Sequence, residues 1–251
     1  MTRLNLKKTV TALALSLGAM VIVHAEAPHA HWGYEGDVNP EKWGELAPDY
    51  AICKSGRNQS PVNIDRSYNA PLDALGLHYA AVAADVIDNG HTVQVTPQSE
   101  SSYLQLAGAR YTLKQFHFHA PSENQIKGKS FPLEGHFVHA DKDGNLLVLA
   151  VMFKPGKQNP QLDGVLNALG GSAGESRKLE RPVNAAALLP KQRGYYRFAG
   201  SLTTPPCSEG VTWIVLKTPM TLSQAQLDRF AAHLQHNNRP VQPLNGRVIV
   251  D

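Results

Sequence analysis

Two cysteines, Cys53 and Cys207, are all that 251 residues contain, and neither lies near the chain's histidine-rich strands, which argues against a closed thiolate metal centre. Charge is modest, with Asp, Glu, Lys and Arg at 18% of the chain. No internal repeat, low-complexity run or linker divides it. Long hydrophobic runs are missing too: the apolar stretch Thr9–Val23 is too short to span a bilayer.

That stretch follows Arg3, Lys7 and Lys8 and precedes small residues at Val23-His24-Ala25 or Ala25-Glu26-Ala27, the pattern of a secretory leader. Residues 1–25 are therefore read as a signal peptide and 26–251 as one catalytic domain. The three leader cations account for the whole excess of 24 basic over 21 acidic residues, so the exported chain is formally neutral and gives no argument for nucleic acid. Export implies the periplasm first, or the medium, with no membrane attachment after cleavage. In that setting two cysteines most simply form one disulfide, and closing so long a loop contributes about 4–5 kcal/mol in the chain-entropy account. Cys207 directly follows Thr203-Thr204-Pro205-Pro206, so a bridge to Cys53 pins that loop.

Glycine (20) and proline (17) are plentiful, which suits many short strands joined by turns. Asp88-Asn89-Gly90-His91 carries a hairpin signal, followed by alternating Thr92–Val95. Leu77–Val86, Leu146–Phe153 and Val211–Leu216 read as further strands, and only Pro160–Leu169 and Thr221–Gln235 look helical.

The chemistry concentrates in Tyr111–His119 and Leu133–His139. Strand side chains alternate between faces. Gln115, His117 and His119 therefore share one face and Phe116 and Phe118 the other. In the second segment Glu134, His136 and Val138 share a face, with Leu133, Phe137 and His139 opposite. Pairing the two strands lets three imidazoles converge beside Gln115 and Glu134, while parity leaves His139 as a structural histidine. Three protein ligands with a free fourth position is the pattern of catalytic zinc.

These segments, together with His31-Trp32-Gly33-Tyr34, Asn89-Gly90-His91, Ser201–Cys207 and Val211-Thr212-Trp213 in that order, resemble the alpha-class carbonic anhydrases, and most closely their exported bacterial branch. The resemblance runs from about residue 31 to the end. It implies a mostly β (α+β) single domain around a large, twisted, mainly antiparallel sheet with a few short peripheral helices. It also implies one zinc per chain on His117, His119 and His136, with Gln115 and Glu134 holding His117 and His136. The implied activity is a lyase reaction, the reversible hydration of carbon dioxide to bicarbonate by hydroxide formed on zinc.

Within that activity the resemblance gives Thr203 and Glu123 the task of orienting the hydroxide. Val138, Val148, Leu202, Val211 and Trp213, with Thr203 and Thr204, would border the substrate. Tyr34, Gln94 and Thr204 would hold ordered water, and His91 would carry the proton away. The partner is a small molecule, carbon dioxide or bicarbonate, and a homodimer is compatible with the sequence. A zinc esterase on the same fold, or a non-catalytic zinc or surface-binding module, are the competing expectations.

Overall fold

The computed structural model describes residues 30–170 and 173–251, so the expected leader lies outside the described residues. An 11-stranded sheet forms the body of the molecule. Eight of its strands make a continuous path. In chain order they are β1 (Ala84–Asp88), β2 (Val93–Pro97), β3 (Ala109–His119), β4 (Leu133–Ala140), β5 (Leu146–Pro155), β6 (Ser176–Lys178), β7 (Tyr195–Ser201) and β8 (Glu209–Leu216). Their spatial order is β6-β1-β2-β3-β4-β5-β8-β7, and every neighbouring pair is antiparallel except β5 with β8. Short strands at Gly76–His78, Tyr103–Leu106 and Met220–Leu222 attach beside this path.

The register divides the sheet chemically. Val95, Phe116, Phe137, Leu149 and Ile214 stand opposite one another across five strands on one face. They pack under two helices, α1 (Pro160–Ala168) and α2 (Gln224–Leu234), through Leu162, Val165, Phe230 and Leu234. Phe118 meets Phe230 with ring centres 4.7 Å apart. Such rings and aliphatics supply the bulk of hydrophobic stabilisation, each about 1.5–3 kcal/mol when fully buried. On the other face the row of partners runs Gln94, His117, His136, Ala150 and Val215.

The helix starts are set by local polar chemistry. Ser223 caps α2 in a reciprocal arrangement with Gln226, and Asn159 caps α1. The Gln226 amide also accepts from the Asn159 N–H and donates to its carbonyl, tying the two starts together.

Three local expectations change. The stretch Leu77–Val86 is three short strands rather than one. Thr221 and Leu222 belong to a strand pairing with β5, because the Ser223 cap delays the helix. Short helices at Trp43–Leu46 and Ile52–Ser55, too brief to carry a periodic signal, follow the aromatic N-terminal patch, where Trp43 is wholly buried. Cys53, on the second of these, is bonded to Cys207, with Cα atoms 5.0 Å apart.

Candidate metal centre

His117 and His119 leave β3 on the same face, and β4 sets His136 directly opposite His117. One nitrogen of each ring faces a protein oxygen. His117 Nδ1 lies 2.8 Å from Gln115 Oε1, two residues back on the same face. His119 Nδ1 lies 2.7 Å from the backbone oxygen of Asn237. His136 Nε2 is 3.0 Å from Glu134 Oε1, a short contact whose alignment falls outside hydrogen-bond geometry. This leaves Nε2 of His117, Nε2 of His119 and Nδ1 of His136. One ligand atom from each ring lies within 4.8 Å of the others.

The site is prepared to keep these nitrogens neutral. Burial holds the pKa of all three histidines below the ordinary value, and well below it for His117 and His136. Repulsion between the rings adds to the depression at His117 and His136. His119 Nε2 is buried without a hydrogen-bond partner. A buried polar atom with nothing to bond is costly in a folded protein, and a cation among the three rings would remove that cost. Neutral imidazoles with no thiolate beside them suit zinc.

The carboxylates beneath the rings are equally buried. Glu134 accepts from the backbone N–H of Glu123 and Asn124 and from the Asn124 side chain, at 2.8–2.9 Å. Glu123 Oε1 accepts from the Arg239 backbone at 2.9 Å, while Oε2 lies 3.6 Å from His119 Nε2 and 3.8 Å from His136 Nδ1. Burial pushes the Glu123 carboxyl up to about 8, partly offset by the Arg239 N–H and by the Thr203 hydroxyl. Glu123 Oε2 is itself buried without a hydrogen-bond partner.

The apolar residues expected around the site are brought together. Val138, Val148 and Trp213 occupy one row of the sheet, with Gln115 at its end. Val211 and Leu202 join the same cluster. Trp213 packs edge-on against His136, with ring centres 4.9 Å apart, and its indole N–H donates to the Ser201 carbonyl. Thr203 and Thr204 lie on the loop that Cys207 closes, where the Cys207 N–H donates to the Thr204 carbonyl.

Gln94 stands opposite His117 on β2. The Tyr34 hydroxyl is pushed well above its ordinary pKa, first by burial and then by the charge of Glu123. His91 sits at the hairpin between β1 and β2, half-buried and stacked on Trp32 at 3.8 Å. Burial, and secondarily His31, lowers its pKa.

Two supporting residues carry no sequence signal. Asn237 lies 118 positions from His119 and uses a backbone oxygen to hold it, while its side chain bonds Ala120, Phe118 and His91. Arg239 is buried, with its guanidinium bonded to Gln59, Ser60 and Cys53. Only the fold brings these residues to the site.

Comparison with known proteins agrees with this geometry. The family model described as eukaryotic-type carbonic anhydrase matches residues 38–251. A carbonic anhydrase from Neisseria gonorrhoeae is 49% identical over 242 residues, covering 96% of both chains. One from Pectobacterium atrosepticum is 48% identical, over 95% of this chain and 98% of its own. The alpha-carbonic anhydrase of Thermovibrio ammonificans, solved in complex with sulfanilamide, superposes with a TM-score of 0.86 at 48% identity, over 88% of this chain and 99% of that one. The chain belongs to the eukaryotic-type, or alpha, carbonic anhydrase family, whose members are lyases.

Proposed function

We propose that the protein catalyses the reversible hydration of carbon dioxide to bicarbonate and a proton, with one zinc ion held by His117, His119 and His136. The observation that carries this reading is the convergence of three unengaged ring nitrogens beside an apolar row of the same sheet face. Zinc in such a set makes water acidic enough to supply a nucleophilic oxygen at neutral pH.

The remaining work belongs to the chain. Gln115 and the Asn237 carbonyl fix the tautomers of His117 and His119 and aim their free nitrogens inward. The Thr203 hydroxyl donates a hydrogen bond toward Glu123, so its oxygen would be left only to accept from the attacking oxygen and would turn a lone pair of that oxygen toward the substrate carbon. A cation among the rings favours the ionised Glu123 that this relay needs. Val138, Val148, Leu202, Val211 and Trp213 offer uncharged carbon dioxide a surface that gives no hydrogen bonds to charged competitors. Thr204, Gln94 and Tyr34 border the opposite, polar side.

His91 carries the product proton outward. Its depressed pKa makes it a ready donor to buffer once charged. The Cys53–Cys207 bridge supports export, with the periplasm as the compartment. Among the described residues no helix is long and apolar enough to cross a membrane.

Stopped-flow hydration on the zinc-loaded and chelator-stripped protein tests the function. Activity that vanishes with zinc and returns on reloading supports it. Ester hydrolysis without hydration above background assigns the chain to the esterase alternative, and binding of more than one zinc without catalysis to the reservoir alternative.

A further inference from the structure

Outside the metal centre, titratable groups gather in a cleft of about 370 Å³ lined by His31, Glu35, Asp88, His91, His233 and Asn237. We propose that His233, oriented by Asp88, is a second proton-relay residue that takes the proton from His91 across this cleft and releases it to solvent. The inference rests on the hydration reading above.

Asp88 links the two histidines physically. Its Oδ1 accepts from the Gly90 N–H at 3.0 Å, inside the turn that presents His91. Its Oδ2 lies 3.0 Å from His233 Nδ1 on helix α2. One carboxylate thus braces the donor's turn and the acceptor's ring.

The cleft also begins at the rim of the metal centre. The Asn237 side chain donates to the His91 carbonyl, while its backbone oxygen holds His119. At the far side the His233 side chain is 32% exposed, against 15% for Asp88, so a proton on it meets buffer directly.

The surroundings favour transfer in this direction. His91 is half-buried against Trp32, and its charged form is opposed by burial and by His31. His233 instead has its Nδ1 paired with the Asp88 carboxylate, at 3.0 Å. Glu35 and His31 face the cleft from the N-terminal segment, and Asp88 and His91 from the hairpin. Arg229, one turn earlier on α2, is bonded to Asn167.

The step balances as a proton transfer alone. His233 Nδ1–H donates to Asp88, its Nε2 lone pair accepts the proton that leaves the His91 ring, and a buffer base removes that proton from Nε2. Water in the cleft can bridge the two rings.

The test is His233→Gln in the full zinc-loaded chain. At low buffer kcat falls about tenfold, less than the roughly 10²–10⁴-fold of a direct acid–base group because water and buffer partly replace an outer relay, while kcat/KM stays at the parent value and added imidazole restores kcat. Because the two histidines act in series, His91→Ala/His233→Gln is no slower than His91→Ala. Parent kcat at low buffer, a parallel loss of kcat and kcat/KM, or additive losses in the double variant would each overturn the relay. A parent protein that fails to hydrate carbon dioxide at all would instead remove the reading beneath it.

Discussion

His136 and His139 leave the same strand three residues apart, both wholly buried and both held neutral, and they do opposite things. His139 points to the helix-covered side of the sheet, where both ring nitrogens are engaged. Tyr79 Oη lies 2.6 Å from Nε2 and the Leu147 carbonyl 3.3 Å from Nδ1. Burial lowers its pKa to about 4, and the same burial raises the Tyr79 hydroxyl. His136 faces the other side, has one nitrogen against Glu134, and leaves the second for the shared corner with His117 and His119. Burial alone therefore does not mark a functional histidine. The difference lies in whether the protein completes the ring's hydrogen bonds or leaves one nitrogen for a ligand.

Breaking the open side has the largest expected effect. His119→Ala removes one of three converging nitrogens, and hydration measured by stopped flow falls at least about 10⁴-fold, the catalytic contribution of the metal being lost. The fold survives, because the replaced ring lies outside the helix-covered core. Next comes the bridge that anchors the Thr203 loop to the N-terminal helices. Cys53→Ser loses about 4–5 kcal/mol of stability in urea unfolding, as expected for a loop spanning 154 positions.

The closed side should show itself through pH. His139 binds its proton near pH 6.5 when unfolded but only near pH 4 when folded. Between those values the unfolded state carries the extra proton, so stability present above pH 6.5 is lost as pH falls towards 4. The loss is about 3 kcal/mol. His139→Gln flattens this part of the stability profile relative to the parent while leaving zinc binding intact; an unchanged slope would mean that His139 is not the group responsible.

Thr203→Ala sharpens the contrast further, lowering kcat/KM by about a hundredfold, or roughly 2.7 kcal/mol, without releasing zinc. The smallest effect is that of His91→Ala. It slows turnover at low buffer and recovers with imidazole, whereas unchanged turnover would remove His91 from the mechanism.

Much of this contrast is already legible in the chain. The period of two along Gln115–His119 and Glu134–His139 assigns every ring to its face, and β3 and β4 pair in the register that parity requires. The apolar row was legible only through family resemblance, since Val148 and Trp213 sit on strands whose every position is apolar or mixed. The Asn237 carbonyl was not legible at all. A backbone oxygen has no residue type, and it reaches His119 only because the segment after α2 folds back over the end of β3. Leu77–Val86 misled for the reverse reason. Its mixed pattern fits one strand, but breaks in pairing after His78 and Val82 divide it.

Zinc binding by competition titration in the parent, His136→Gln and His139→Gln tests the contrast most directly. One zinc per chain in the parent and in His139→Gln, with tight binding lost in His136→Gln, is the predicted result. Tight binding that survives in His136→Gln, or disappears in a folded His139→Gln, would contradict it.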